Sequence, residues 1–168
     1  VKNDSAAITF RVRNTGAVAG KEAAQVYVRD VESTVFRPVK ELKGFAKVHL
    51  QPGEEKEVTI TLGRRAFAFY DVTQKDWIIE AGEFEILIGA SSRDIRLTTT
   101  TRLDSAQRAS AIADRESLAP YYTLTSSQIP QSAFAALYGR PLPENVTPQK
   151  GQYTLNTPFG DMNDSWLA

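Results

Sequence analysis

Ile8-Thr9-Phe10-Arg11-Val12-Arg13, closed by Asn14-Thr15-Gly16, sets the pattern for the chain. Ile8, Phe10 and Val12 fall on one side of an extended chain and Thr9, Arg11 and Arg13 on the other, the period of two that a half-buried strand requires. Asn14-Thr15-Gly16 then supplies the chemistry of a turn. The alternation recurs downstream. Val26 and Val28 alternate with Gln25, Tyr27 and Arg29, and Val48 and Leu50 alternate with Lys47 and His49 ahead of the turn Gln51-Pro52-Gly53. Val58, Ile60 and Leu62 alternate with Glu57, Thr59 and Thr61. Phe67 and Phe69 predict a short aromatic strand and Trp77 to Ile79 another, Phe84, Ile86 and Ile88 alternate with Glu83, Glu85 and Leu87, and Ile95 and Leu97 close the series.

About seven short strands at this spacing, with turns between them and no convincing helix, predict an all-β fold, an antiparallel β-sandwich of immunoglobulin-like type. Lys40 to Phe45 is less regular, since Gly44 interrupts the pattern and predicts a bulge or bend. Arg37-Pro38 falls in a connection expected to cross a surface where a partner domain is met.

The 168 residues carry 20 basic and 20 acidic side chains, 42% hydrophobic residues and no cysteine. That length suffices for a core without disulfides or metal. Zero net charge argues against a nucleic-acid surface, and no apolar run reaches the roughly 20 residues that span a bilayer. The chain therefore reads as soluble, in the cytoplasm or secreted, with neither nucleic acid nor membrane as partner. Beginning at Val1, with patterning already established by Ala6 and no signal peptide at the start, it reads as a piece of something longer.

Charge divides the chain: residues 1–103 hold 16 Lys and Arg with 14 Asp and Glu, against 4 and 6 in residues 104–168. The expected organisation is a sandwich over 1–103 and an extension over 104–168, mostly irregular with short helices. Ala106, Ala109, Ala111, Ala113 and Ala119 suggest one short helix or a loose segment. Pro130 to Tyr138 predicts another helix, with Pro in its first turn and Gly139 past its end. So weakly charged a tail, carrying Phe134, Tyr138, Tyr153, Phe159 and Trp166, is expected to pack on another surface rather than to be a solvated arm.

The residues offer little catalytic chemistry. Glu83 and Glu85 share a strand face that alternation turns to solvent, where no burial raises a carboxyl pKa. Glu54, Glu55 and Glu57 follow a Pro-Gly turn, and Asp71 and Asp76 flank a turn where Asp bonds the backbone. His49 stands on a polar strand face with no nucleophile context. No metal-ligand spacing and no phosphate loop is present, so no cofactor is expected. Exposed aromatics are an alternative, because a sugar's C–H face stacks on a flat ring; Trp77, Tyr70 and Tyr27 are the carbohydrate-contact candidates, weighed against packing over the sandwich edge. Sequons occur at Asn3, Asn145 and Asn163.

Taken in order, several stretches resemble the fibronectin type III-like domain at the C-terminal end of glycoside hydrolase family 3 enzymes, chiefly β-glucosidases. They are Val12-Arg13-Asn14-Thr15-Gly16 with Ala19-Gly20-Lys21-Glu22, Gln25-Val26-Tyr27-Val28-Arg29-Asp30, and Arg37-Pro38 with Lys40-Glu41-Leu42-Lys43-Gly44-Phe45. Leu50-Gln51-Pro52-Gly53-Glu54, Phe67-Ala68-Phe69-Tyr70-Asp71, Trp77, Gly82-Glu83-Phe84 and Gly89 with Ser91-Ser92-Arg93-Asp94 follow. Leu137-Tyr138-Gly139-Arg140-Pro141-Leu142-Pro143 and Tyr153-Thr154-Leu155-Asn156-Thr157-Pro158 are similar to C-terminal extensions of some bacterial members. The resemblance implies a fibronectin type III-like sandwich serving as an accessory module, with the catalytic barrel and α/β domains of the same enzyme as partners, and glucan or glucoside as a further one. In the family the catalytic Asp and Glu lie on those other domains. Lys75-Asp76-Trp77 and Asp164-Ser165-Trp166 do not reproduce the nucleophile's context, so no catalytic residue is carried over. The family's first strand falls upstream of Val1, which leaves the edge beside residues 6 to 13 exposed unless another segment covers it.

Overall fold

The computed structural model describes residues 5–110, 115–123, 129–144 and 151–162. Asn3, Ala111, Ala113, Asn145, Asn163 and the Asp164-Ser165-Trp166 triplet lie outside the described residues. The chain divides into two compact units, residues 1–112 and 113–168.

The first unit is a strand unit. Its elements are β1 (Ser5–Arg13), β2 (Gly20–Asp30), β3 (Glu41–Leu50), β4 (Glu55–Gly63), β5 (Phe69–Asp71), β6 (Asp76–Ile78), β7 (Gly82–Gly89) and β8 (Ile95–Leu103). All pairings are antiparallel: β1 with β4, β5 with β6, and a four-stranded sheet in the order β3-β2-β7-β8. The alternation in the sequence sets which face is buried. Phe10, Val58, Ile60 and Leu62 from the β1-β4 pair and Val26, Val28, Phe84, Ile86 and Ile88 from the larger sheet form one buried cluster. Phe67 joins it, its ring edge-on to Phe84 at 5.5 Å, an arrangement favoured by the aromatic quadrupole. Both sheets thus contribute to one core, as a sandwich requires.

Phe67 itself is not in a strand. A single 3-10 turn over Arg64–Ala66 leads into it, and its N–H closes on Arg64 O at 3.2 Å, so the strand begins only at Phe69. Phe67 is buried by that turn rather than by alternation. Asn14 ties two reversals together: its Oδ1 accepts from Gly16 N–H at 2.9 Å, its Nδ2 donates to Val18 O at 2.9 Å and Leu50 O at 3.2 Å, and its backbone N–H reaches Glu54 O. The irregularity predicted near Gly44 is a register shift: Gly44 opposes Val26, whereas the next pair along β2 is Tyr27 with Leu42. Lys43 is the extra residue. A Cβ on Gly44 would stand 2.6 Å from Ile60 Cγ2, so the two sheets approach here as only glycine permits. Along its whole length β1 pairs with β4 and with no other strand among the described residues.

In the second unit α1 (Ala119–Thr123) and α2 (Gln131–Tyr138) are in contact. α2 begins directly after Pro130 and ends at Gly139 with φ 72°, whose N–H reaches Ala135 O at 3.0 Å and Ala136 O at 3.2 Å; the left-handed cap is what glycine supplies there. Ala106 and Ala109 lie in a segment without regular structure, so the short helix starts only at Ala119. No helix among the described residues is long and apolar enough to cross a membrane.

Candidate functional site

Three features stand out on the strand unit, and each is built by a recognisable local device.

The first is the β5-β6 ribbon. Tyr70 and Trp77 face each other across its ladder, with ring centroids 5.6 Å apart and planes inclined by 66°. Arg65 lays its guanidinium over the Trp77 ring, 3.9 Å from the centroid. Tyr70 is 48% exposed and Trp77 38%. One face of the indole is thus occupied by a cation, and the two rings are inclined rather than coplanar, which describes a packed edge more than a flat sugar platform. Tyr27 is not brought to this pair. It lies on β2, flanked in register by Leu42 and Leu87, is only 6% exposed, and donates its hydroxyl to Gln25 Oε1. Alternation places it on the sheet's outward face, yet its neighbours cover it.

The second is Asp71, at the end of β5 and 2% exposed. Its Oδ1 accepts from the N–H groups of Thr73 at 2.9 Å and Gln74 at 3.0 Å, the turn role read from the sequence. Its Oδ2 accepts from Gln74 Nε2 at 2.9 Å and from Ser110 N–H at 2.7 Å. The backbone donors of Ser110 and Gln74 hold this carboxyl well below the usual range of its kind. Asp71 therefore fastens the segment after β8 to the ribbon, helped by Gln107, which accepts from Ile79 N–H at 3.1 Å and Arg64 Nη2 at 3.0 Å.

The third, which the sequence reading did not single out, is an ionic cluster at the root of the β2–β3 connection. Half-buried Arg37 reaches Glu41 Oε1 at 2.7 Å and Asp30 Oδ2 at 3.5 Å, and Lys43 reaches Glu41 Oε2 at 2.7 Å. Arg37 also stands 5.8 Å from the Phe69 ring centroid. Glu80 accepts from Thr34 N–H at 3.1 Å, Ser33 Oγ at 3.3 Å and the Thr34 hydroxyl. Burial raises the Asp30 pKa, ahead of the opposing pull of Arg37. At Glu41 burial also pushes upward, but the hydrogen bonds from Lys43 and Arg37 together outweigh it and the pKa falls. The i, i+4 spacing of Arg37 and Glu41 was the available signal, obscured because it runs from a connection into the start of β3 rather than along a helix.

The remaining candidates are ordinary. Glu85 pairs with Arg29 at 3.1 Å, Glu83 is exposed, Glu54 caps its turn by accepting from Gln51 N–H at 2.7 Å, and Asp76 accepts from Trp77 N–H at 2.7 Å. His49 is exposed on β3. Among the described residues no three His, Asp or Glu side chains converge as metal ligands would.

Comparison with known proteins locates this arrangement. The family described as the fibronectin type III-like domain matches residues 22–92. The chain is 59% identical over 98 residues to the thermostable β-glucosidase B of Acetivibrio thermocellus, a match covering 58% of this chain and 13% of that protein. It is 46% identical over 101 residues to an exo-α-(1→6)-L-arabinopyranosidase of Bifidobacterium breve, covering 60% and 13%. Among solved structures, a family 3 β-glucosidase of Bifidobacterium adolescentis superposes with a TM-score of 0.61 at 41% identity, covering 66% of this chain and 16% of that one. The chain thus spans only a small fraction of the length of the relatives it matches. Its strand unit is a fibronectin type III-like domain of the kind carried by glycoside hydrolase family 3 enzymes of β-glucosidase type.

Proposed function

We propose that the chain is an accessory, structural module of a family 3 β-glucosidase, whose sandwich over 1–103 buttresses catalytic barrel and α/β domains and whose extension over 104–168 packs on them. The observation that carries this reading is the proportion of the match: 58% and 60% of this chain align with enzymes of which the matched segment is 13%. Two further facts support it. Matching at 59% and 46% identity to enzymes named for different sugars suits a module whose surface does not select the sugar. In the second unit Phe134, Tyr138, Leu155 and Phe159 are exposed, apolar surface of the sort that a partner covers.

The carbohydrate-holding alternative rests on Tyr70 and Trp77, and the guanidinium over the indole weighs against it. Trp77→Ala or Tyr70→Ala is therefore expected to leave retention on insoluble glucan unchanged. A retention that the substitution abolishes would instead establish the binding reading.

The deciding experiment is removal of residues 104–168 from the natural-length polypeptide. A lower melting temperature is expected, and an unchanged melting curve would count against packing of the extension. Intact mass of the native polypeptide comes first: a mass far above 18.6 kDa is expected, and 18.6 kDa alone would mean an isolated accessory domain, with the glucan-binding tests next.

A further inference from the structure

Leu42 and Phe45 are three apart in sequence and would face opposite sides of a regular strand. The register shift in β3 changes that, because Leu42 opposes Tyr27 and Phe45 opposes Gln25, and Tyr27 and Gln25 share the outward face of β2. With Lys43 inserted and Gly44 turned inward against Ile60, both large apolar side chains emerge side by side on the face away from the core. Leu42 is 50% exposed and Phe45 70%. Behind them on the same face lie Tyr27, which they help to cover, and Leu87 on β7.

This surface is held in place before anything binds it. Lys43 and the neighbouring connection are tied through Glu41 to Arg37, and Arg37 to Asp30 at the end of β2. A bulge re-aims side chains and is costly to the ladder, so one whose product is an exposed apolar pair, locked by a half-buried ionic cluster, has the form of a preorganised docking surface. Beside Phe45 the same face is basic, carrying Lys47 and, across the ladder, Lys21.

We propose that this outward face of β3 and β2, centred on Leu42 and Phe45, docks the module onto the remainder of the polypeptide that carries it, against an apolar patch bordered by carboxylates. The inference rests on the accessory-module reading and adds the surface to it. The occupant follows from chain length: the matched segment is about an eighth of its relatives, so most of each such protein is covalently joined to this face. Tethering presents that partner at millimolar effective concentration, at which a patch of a few side chains suffices, whereas a free second copy must bind at its own far lower concentration.

The test is the pair Leu42→Glu with Phe45→Glu, made both in the 168-residue chain and in the natural-length polypeptide, with the module-deleted polypeptide alongside. The substituted 168-residue chain is expected to melt with the unsubstituted one. The substituted natural-length polypeptide should reproduce most of the melting shift that removing the module causes. If module removal shifts the melting and the substitutions do not, this surface is wrong while the accessory reading stands; if removal shifts nothing, both fall. A 168-residue dimer by light scattering that the substitutions dissociate would make the occupant a second copy and overturn the proposal. Should the double substitution unfold the 168-residue chain, Lys47→Glu on the exposed rim is read instead. It is expected to lower the melting temperature of the natural-length polypeptide alone, and no change there would overturn the proposal.

Discussion

The two faces of the β3-β2-β7-β8 sheet are both apolar in part, but for different ends. On the inward face Val26, Val28, Phe84 and Ile86 are buried in a core shared with the β1-β4 pair. On the outward face Tyr27 is covered by neighbours while Leu42 and Phe45 stand in solvent. Burial on the inward face is what folds the module, since each large side chain removed from water contributes roughly 1.5–3 kcal/mol. Exposure on the outward face returns nothing to the isolated fold. The contrast teaches that hydrophobicity in a strand sequence does not by itself mark the core; register decides.

The contrast is open to attack at several points, the largest effect first. Phe84→Ala deletes a fully buried ring that meets Phe67 edge-on, and a loss of about 3–5 kcal/mol is expected in urea unfolding of the 168-residue chain. A loss below about 1 kcal/mol would mean that the inward face is not the folding core. Gly44→Ala comes next, with a methyl forced to 2.6 Å from Ile60 Cγ2 and an expected cost of about 1–3 kcal/mol as the sheets separate. Phe45→Ser should change the stability of the 168-residue chain least, within about 0.5 kcal/mol, because its side chain is mostly in water already.

Acid titration sharpens the picture from another side. The carboxyl of Asp71 is held below its ordinary value of 3.8 by backbone donors, so its contribution to stability is present above that pH. It is lost as the pH falls below 3.8 and through the lower folded value. Asp30, raised by burial, acts in the opposite sense, so the comparison is with Asp71→Asn. Chemical unfolding between neutral pH and pH 3 should show a shallower acid limb for that variant, and identical limbs would remove the role given to Asp71.

Much of the sandwich was legible because period-two alternation is a local property. Ile8, Phe10 and Val12, or Val58, Ile60 and Leu62, announce a buried face without reference to anything distant, and Gly44 announced the bulge. The helix before Gly139 was legible for the same reason, since its cap is written in adjacent residues. What escaped depends on partners far along the chain. Tyr27 looked like an exposed ring because its place in the alternation is outward; its burial comes from Leu42 and Leu87, brought beside it by pairing. Asp71 reads as a turn residue, which it is, but its contact with Ser110 spans 39 positions. Phe67 was placed in a strand because Phe69 follows at the right spacing, whereas the 3-10 turn over Arg64–Ala66 carries it inward. Arg37, Asp30 and Lys43 converge through a connection and two strand ends, where ion pairs follow no period and the Arg37–Glu41 spacing was the one local trace.

β1 offers its second edge to no other strand among the described residues, over nine consecutive positions without a proline. Such an edge is a template, and templates copy: any extended peptide meeting it finds a row of amide and carbonyl groups at the right spacing. Concentrated stocks of the isolated chain should consequently show growth that is seeded rather than gradual. A peptide of alternating valine and threonine is expected to act as a chain terminator of that growth, which turns an open edge into a handle for attaching cargo.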